Sequence, residues 1–165
     1  GWLDLFDALV IVKKTHPDFV LVGVFSGHAD IDLNAECKKR GLEQHFMPIG
    51  EVEPARMNRI HNAADIFCLA SHSEGIANSV VEAMSTGVPV LTTAICGHPE
   101  LIANDSIGIM VPPHRPELLA REFARLMADS RLRTEMGNAA RAYIETVWGN
   151  YAFNAAKLLH ILTGQ

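Results

Sequence analysis

The chain has 165 residues, 48% hydrophobic and 20% charged, with a formal net charge of −5. That length and balance suit one domain of ordinary size whose core needs no staples, and no apolar run approaches membrane-spanning length. The acidic balance disfavours nonspecific binding to nucleic acid or an anionic membrane, which needs a basic surface, but leaves small anionic ligands open, since these need only a local positive pocket.

Elements alternate along the chain. Leu3, Leu5, Phe6, Leu9 and Val10 already follow helical spacing, with no initiator Met or signal-like segment ahead of them, so the sequence is expected to start inside a domain. "FVLVGVFS" (19–26) is a β-branched apolar run, "ADIDLNAECKKRGL" a helix stopped by Gly41, and "HFMPIG" a short strand. Pro54 opens a helix to about Ala64, followed by the strand "DIFCLAS". A helix from about Asn78 to Thr86 is closed by Gly87, and the strands "VPVLTT" and "GIMVP" come next. Two helices then meet near Asp129 and Ser130, and "NYAFNAAKLLHILT" forms a last helix at about 150–163. Strands that are apolar on both faces and alternate with helices imply an α/β fold: a Rossmann-like, doubly wound parallel sheet covered by helices on both faces. Residues 1–165 read as a single domain without repeats or long linkers.

In such a sheet a ligand sits beyond the carboxyl ends of the strands. "SHSEGIANSVVEAMSTGVPVL" starts there, with Glu74 and Gly75 directly after a strand. Gly75 lets backbone approach a ligand, and the following helix start leaves the amides of Ala77, Asn78 and Ser79 without intrahelical partners, which suits phosphate. Glu82, about one turn on, offers two acceptor oxygens to a pair of neighbouring hydroxyls. Amides for a diphosphate, one acid for a sugar and one for a ribose make a nucleotide-sugar arrangement. The competing reading is structural: an acid in a first helical turn is favoured by the macrodipole alone, and Asn78 serves equally as a helix cap.

Other chemistries fit less well. Ser73 follows a strand, but position 71 is Ser where a hydrolase nucleophile elbow needs Gly. The eight histidines show no paired ligand spacing, although His72 and His98 fall in loops facing the site. Cys37, Cys68 and Cys96 are odd in number and lack C-x-x-C spacing, so they read as reduced cysteines of a cytoplasmic protein.

"ADIFCLASHSEGIANSVVEAMSTGVPVLTTAICGHPELI" resembles the carboxyl-terminal, donor-binding domain of retaining family four (group 1) glycosyltransferases, which have the GT-B fold; the match runs on through "GIMVPPHRPELLAREFARLMAD". The family's E-x7-E motif falls on Glu74 and Glu82. The resemblance implies that Glu74 acts beside the anomeric carbon, by position and charge, and that Glu82 holds the ribose. It also implies that Gly75, Ile76, Ala77, Asn78 and Ser79 contact the donor, with Gly50, Glu51 and Val52 as candidate contacts to the base. The partner is then a nucleoside-diphosphate sugar, with no cofactor and no divalent metal. The acceptor, a saccharide, lipid or small molecule, belongs to an amino-terminal domain outside this sequence. So does any peripheral membrane association, and the last helix is expected to pack back toward that domain.

Departures from the family pattern are specific. The strand and "GR....KG" segment that precede this region in the family are represented only by Gly1, Cys96 replaces the first glycine of a "GG.pE" loop, and "GVFSGHAD" replaces a tight "GdG" turn. If the strand order is the usual doubly wound one, the missing leading strand lies between "FVLVGVFS" and "DIFCLAS". The expectation is that upstream residues, direct pairing or another chain closes this gap. A noncatalytic nucleotide-binding module of the same fold is the alternative reading. An epimerase matches only at the glutamates.

Overall fold

The computed structural model describes residues 1–25, 31–75, 77–95 and 97–148. The expected helix at 150–163, Ile76 and Cys96 lie outside the described residues.

The elements follow in the order α1 (Trp2–Val12), β1 (Leu21–Val24), α2 (Leu33–Lys39), β2 (Phe46–Gly50), α3 (Pro54–Ala63), β3 (Phe67–Leu69) and α4 (Asn78–Thr86). Then come β4 (Val90–Thr93), α5 (His98–Leu101), β5 (Ile109–Val111), α6 (Pro116–Ala128), α7 (Ser130–Tyr143) and a π-helical turn, Ile144–Trp148. Local chemistry sets several of these boundaries. Asp32 accepts from the amide of Ala35 at the start of α2, and Asp129 accepts from that of Leu132 at the start of α7. Pro occupies the first turn of α3, α5 and α6, where its missing N–H costs nothing. Gly87 ends α4 at φ 82°, a left-handed conformation that glycine adopts without a Cβ clash.

All strand pairs are parallel, but they form two groups. β1 pairs with β2, Leu21 opposite Phe46, and β3, β4 and β5 pair in that order, with Phe67 opposite Val90 and Leu91 opposite Ile109. The two groups, β2–β1 and β3–β4–β5, follow the doubly wound order if one further strand position lies between β1 and β3. Direct pairing of β1 with β3, one of the expected ways to close the gap, does not occur among the described residues. A cleft of about 1080 Å³ separates them, lined by Leu5, Leu9, Val22, Phe67, Leu69 and Phe123.

Alternation along the central strands places a core on each face of the sheet. Leu91, Ile109 and Val111 pack with Leu5, Phe6 and Leu9 of α1 and Leu119, Phe123 and Leu126 of α6. Val90 faces the other way, against Val80, Ala83 and Met84 of α4 and Ala140 of α7. Trp2, Phe6, Phe25 and Phe46 hold α1 to the β1–β2 pair through ring contacts with centroids 5.2–6.0 Å apart. α7 reaches α4 at backbone distance: a Cβ on Gly137 would lie 1.8 Å from the Gly87 carbonyl oxygen.

Candidate functional site at the carboxyl edge of the sheet

β3 ends at Leu69, and the chain runs through residues 70–77 before α4 begins. Two threonines of β4 fasten this exit. Thr92 Oγ1 donates to the carbonyl of Leu69 at 2.8 Å, and Thr93 Oγ1 donates to that of Ser71. Ser71 in turn donates its hydroxyl to Glu74 Oε1 at 2.9 Å. The half-buried Glu74 carboxylate is therefore oriented by the strand ends beneath it.

His98 completes the support from below. It is fully buried, and its Nδ1 donates to the Thr93 carbonyl at 2.9 Å while lying 3.2 Å from Thr92 Oγ1. A carbonyl can only accept, so that contact requires a proton on Nδ1, and Nε2 has no hydrogen-bond partner among the described residues. The sequence places His98 in a loop facing the ligand. In the fold it lies under the loop, because it is itself the first residue of the short helix α5 and its imidazole is buried against Thr92 and Thr93. Thr92, Thr93 and His98 are thus positioning residues that sequence reading misses. Two hydroxyls ending a wholly buried strand were the available signal.

Ala77, not Asn78, is the N-cap of α4, and no side chain caps this end. Asn78 and Ser79 begin the helix, so their amides point outward from an uncapped positive end directly after Glu74 and Gly75. Gly75 is exposed with open space where a Cβ would be, so ligand approach is unobstructed there. Glu82 is exposed, four residues after Asn78 and so on the same helix face. Its charge is felt by the buried His61 of α3, whose pKa is lowered by burial and partly restored by Glu82. Gly50 closes β2 at φ 67°, and Glu51 and Val52 follow it, at the same carboxyl edge but across the gap from β3.

One grouping has no signature in chain spacing. Asp4 of α1, His72 after β3 and His114 after β5 converge beside the Glu74 loop, with Asp4 Oδ2 2.8 Å from His72 Nε2 and 3.6 Å from His114 Nδ1. The residues are brought together by three separate elements, so linear ligand motifs could not reveal them.

Parallel strands alternating with helices, with an acid-bearing loop and an uncapped helix start at the carboxyl edge, define a Rossmann-like domain. Residues 1–143 match the family described as glycosyl transferases group 1, and the chain belongs to that family. Among curated relatives, the D-inositol 3-phosphate glycosyltransferase of Jonesia denitrificans is 26% identical over 148 residues, covering 86% of this chain and 35% of that protein. The chain spans about a third of the length of such relatives. The crystallised C-terminal domain of a group 1 glycosyl transferase from Francisella tularensis is 26% identical, with a TM-score of 0.79 over 88% of this chain and 78% of that one. Anabaena HepE, solved with UDP-glucose, shares the fold at a TM-score of 0.85 and 20% identity, covering 98% of this chain and 44% of its own. The fold is accordingly that of the C-terminal half of a GT-B glycosyltransferase. Among the described residues no helix is long and apolar enough to cross a membrane.

Proposed function

We propose that this chain is the donor-binding domain of a retaining glycosyltransferase that moves a sugar from a nucleoside-diphosphate sugar to a saccharide, lipid or small-molecule acceptor. The observation that carries the reading is the Ser71-oriented Glu74 carboxylate set immediately before an uncapped helix N-terminus. Glycosyl transfer builds positive charge on the sugar ring and negative charge on the departing phosphate. A fixed carboxylate favours the first, and aligned amides of residues 77–79 favour the second. Glu82, one turn along α4, takes the ribose hydroxyls. The base lies toward Gly50, Glu51 and Val52. That Anabaena HepE was solved with UDP and with UDP-glucose supports a nucleotide-sugar ligand for this fold.

Acceptor binding is assigned to a second, amino-terminal domain, so these 165 residues bind donor without transferring sugar by themselves. Donor binding needs no divalent metal, so it persists in a chelator. The cytoplasm is the expected compartment, in keeping with the free thiols Cys37 and Cys68.

Calorimetry with UDP as probe tests the division of labour. Glu82→Gln weakens UDP by about 1.5–3 kcal/mol, the range for a hydrogen bond to a charged group, whereas Glu74→Gln changes it little because UDP carries no sugar. Against UDP-glucose both variants bind more weakly. Removing the ribose 2′-hydroxyl reproduces part of the Glu82→Gln loss in the unmutated protein and adds little in the variant. Equal binding of ribose and deoxyribose nucleotides, with Glu82→Gln neutral, overturns the donor-site assignment.

A further inference from the structure

Asp4, His72 and His114 present one carboxylate oxygen and two imidazole nitrogens that all lie within 4.8 Å of one another. The contact is built from three directions. Asp4 is in the first turn of α1, His72 follows β3 in the exit fastened by Thr93, and His114 stands between β5 and α6. The two imidazole rings are 3.9 Å apart and tilted by 48°. Two imidazole nitrogens and one carboxylate oxygen converging from three elements make the donor set that a transition cation takes. His114 holds a left-handed backbone, φ 59°, which is uncommon away from glycine and expected at sites where a side chain must be aimed.

We propose that these three residues form a binding site for a divalent transition cation of the zinc class, separate from the donor contacts and serving to tie the start of α1 to the loops after β3 and β5. At metal–ligand distances of about 2.0–2.2 Å, tetrahedral ligand atoms stand about 3.3 Å apart. Asp4 Oδ2, at 2.8 Å from His72 Nε2 and 3.6 Å from His114 Nδ1, is within about half an ångström of that spacing on both sides. The set of two imidazoles and a carboxylate suits zinc, cobalt, nickel or iron and is a poor match to magnesium or calcium, which require oxygen donors. His72 and His114 are exposed, so the cation enters from solvent and keeps at least one position for water or an anionic oxygen. His72 lies two residues before Glu74, so a cation here stiffens the loop that carries the acid.

The test is titration of the full chain with ZnCl2, and with CoCl2 for its visible ligand-field bands, in a chelator-free buffer without nucleotide. Zinc is expected to bind one to one, to raise Tm, and to be displaced little by excess magnesium. Asp4→Asn, His72→Ala and His114→Ala are each expected to weaken zinc by at least tenfold and abolish the Tm rise. His16→Ala, at a half-buried histidine outside the cluster, leaves both unchanged. The cobalt spectrum should show imidazole-coordinated, low-symmetry bands that disappear in the same three variants. Asp4→Glu, which keeps the carboxylate, restores part of the affinity and guards against reading a folding defect as ligand loss. Zinc binding that the three variants leave intact, or its absence up to about 100 µM zinc in the unmutated chain, overturns the site and identifies the cluster as a surface Asp–His pair. Because UDP is left out, this result is independent of whether the donor assignment holds.

Discussion

His61 shows how a single buried side chain couples the site helix to stability. It is 3% exposed, stands edge-on to Phe67 with ring centroids 5.5 Å apart, and among the described residues its Nε2 has no hydrogen-bond partner. Burial lowers its pKa below the ordinary 6.5, with the charge of Glu82 opposing part of the fall. The unfolded chain therefore takes up a proton on this residue at a pH where the folded chain does not. The preference for the folded state is fully present above the unfolded value and is lost as pH falls through it toward the depressed folded value. Urea unfolding at about pH 7.5 and about pH 5.5 should show a larger loss in the unmutated chain than in His61→Leu, which removes the titrating group and the orphaned nitrogen together. Equal losses in the two proteins would assign the acid sensitivity to other groups.

Among the elements, the contact between α4 and α7 is the least forgiving of added atoms. Gly137 faces the carbonyl of Gly87, the left-handed cap of α4, and a Cβ there would sit 1.8 Å from that oxygen. Backbone cannot yield as a side-chain tip can. Gly137→Ala is therefore expected to destabilise by about 1–3 kcal/mol, the usual cost of overpacking, despite alanine's better helix propensity. Chemical denaturation checks this, and a neutral or stabilising result would mean that the two helices slide apart freely. The same contact marks a limit of sequence reading. Gly87 is legible as a cap because it follows a helical apolar pattern, but Gly137 lies in the middle of a helix, and only the tertiary contact gives it a role. The strands from 19 to 26 and from 65 to 71 are legible from their β-branched and apolar runs, though the ordered ladders are shorter, Leu21–Val24 and Phe67–Leu69. The place of Glu74 after β3 and of Glu82 on α4 is legible from the apolar run and the helical pattern that follow one another there. Thr92 and Thr93 are not, because their hydroxyls bond a segment more than twenty residues upstream, nor is His98, whose role rests on its contacts with those two threonines. The short helix α5 escapes notice for the same reason: a four-residue turn carries no periodicity.

At the scale of the whole molecule, the gap between β1 and β3 has a direction as well as a size. Leu21 N and Phe25 N donate to carbonyls on the β2 side, so the amides of Val22 and Val24, which alternate with them, point into the cleft. Phe67 N donates to the carbonyl of Pro89, so the amide of Cys68 points into the cleft from the other wall. Gly1, at the start of α1, is in contact with the carbonyl of Ala70, just beyond the end of β3. A parallel strand leading into α1 by a short right-handed crossover would therefore run between β1 and β3 and satisfy both rows of amides. It would also cover Val20 and Val22, which are 61% and 42% exposed. Buried sheet edges without partners are costly, so such a strand should contribute strongly to stability. The measurement is hydrogen exchange on the 165-residue chain and on a version lengthened ahead of Gly1 by a strand-forming segment. The amides of Val22, Val24 and Cys68 are expected to exchange rapidly in the first and to be protected in the second, with a higher urea midpoint. Leu21 and Phe67, already bonded within their own sheets, should be protected in both and so report whether the shorter chain is folded. If Leu21 and Phe67 are protected and the lengthened chain leaves Val22 and Cys68 unprotected, the vacancy is not a strand position, and the two sheets are joined by side-chain packing across the cleft alone.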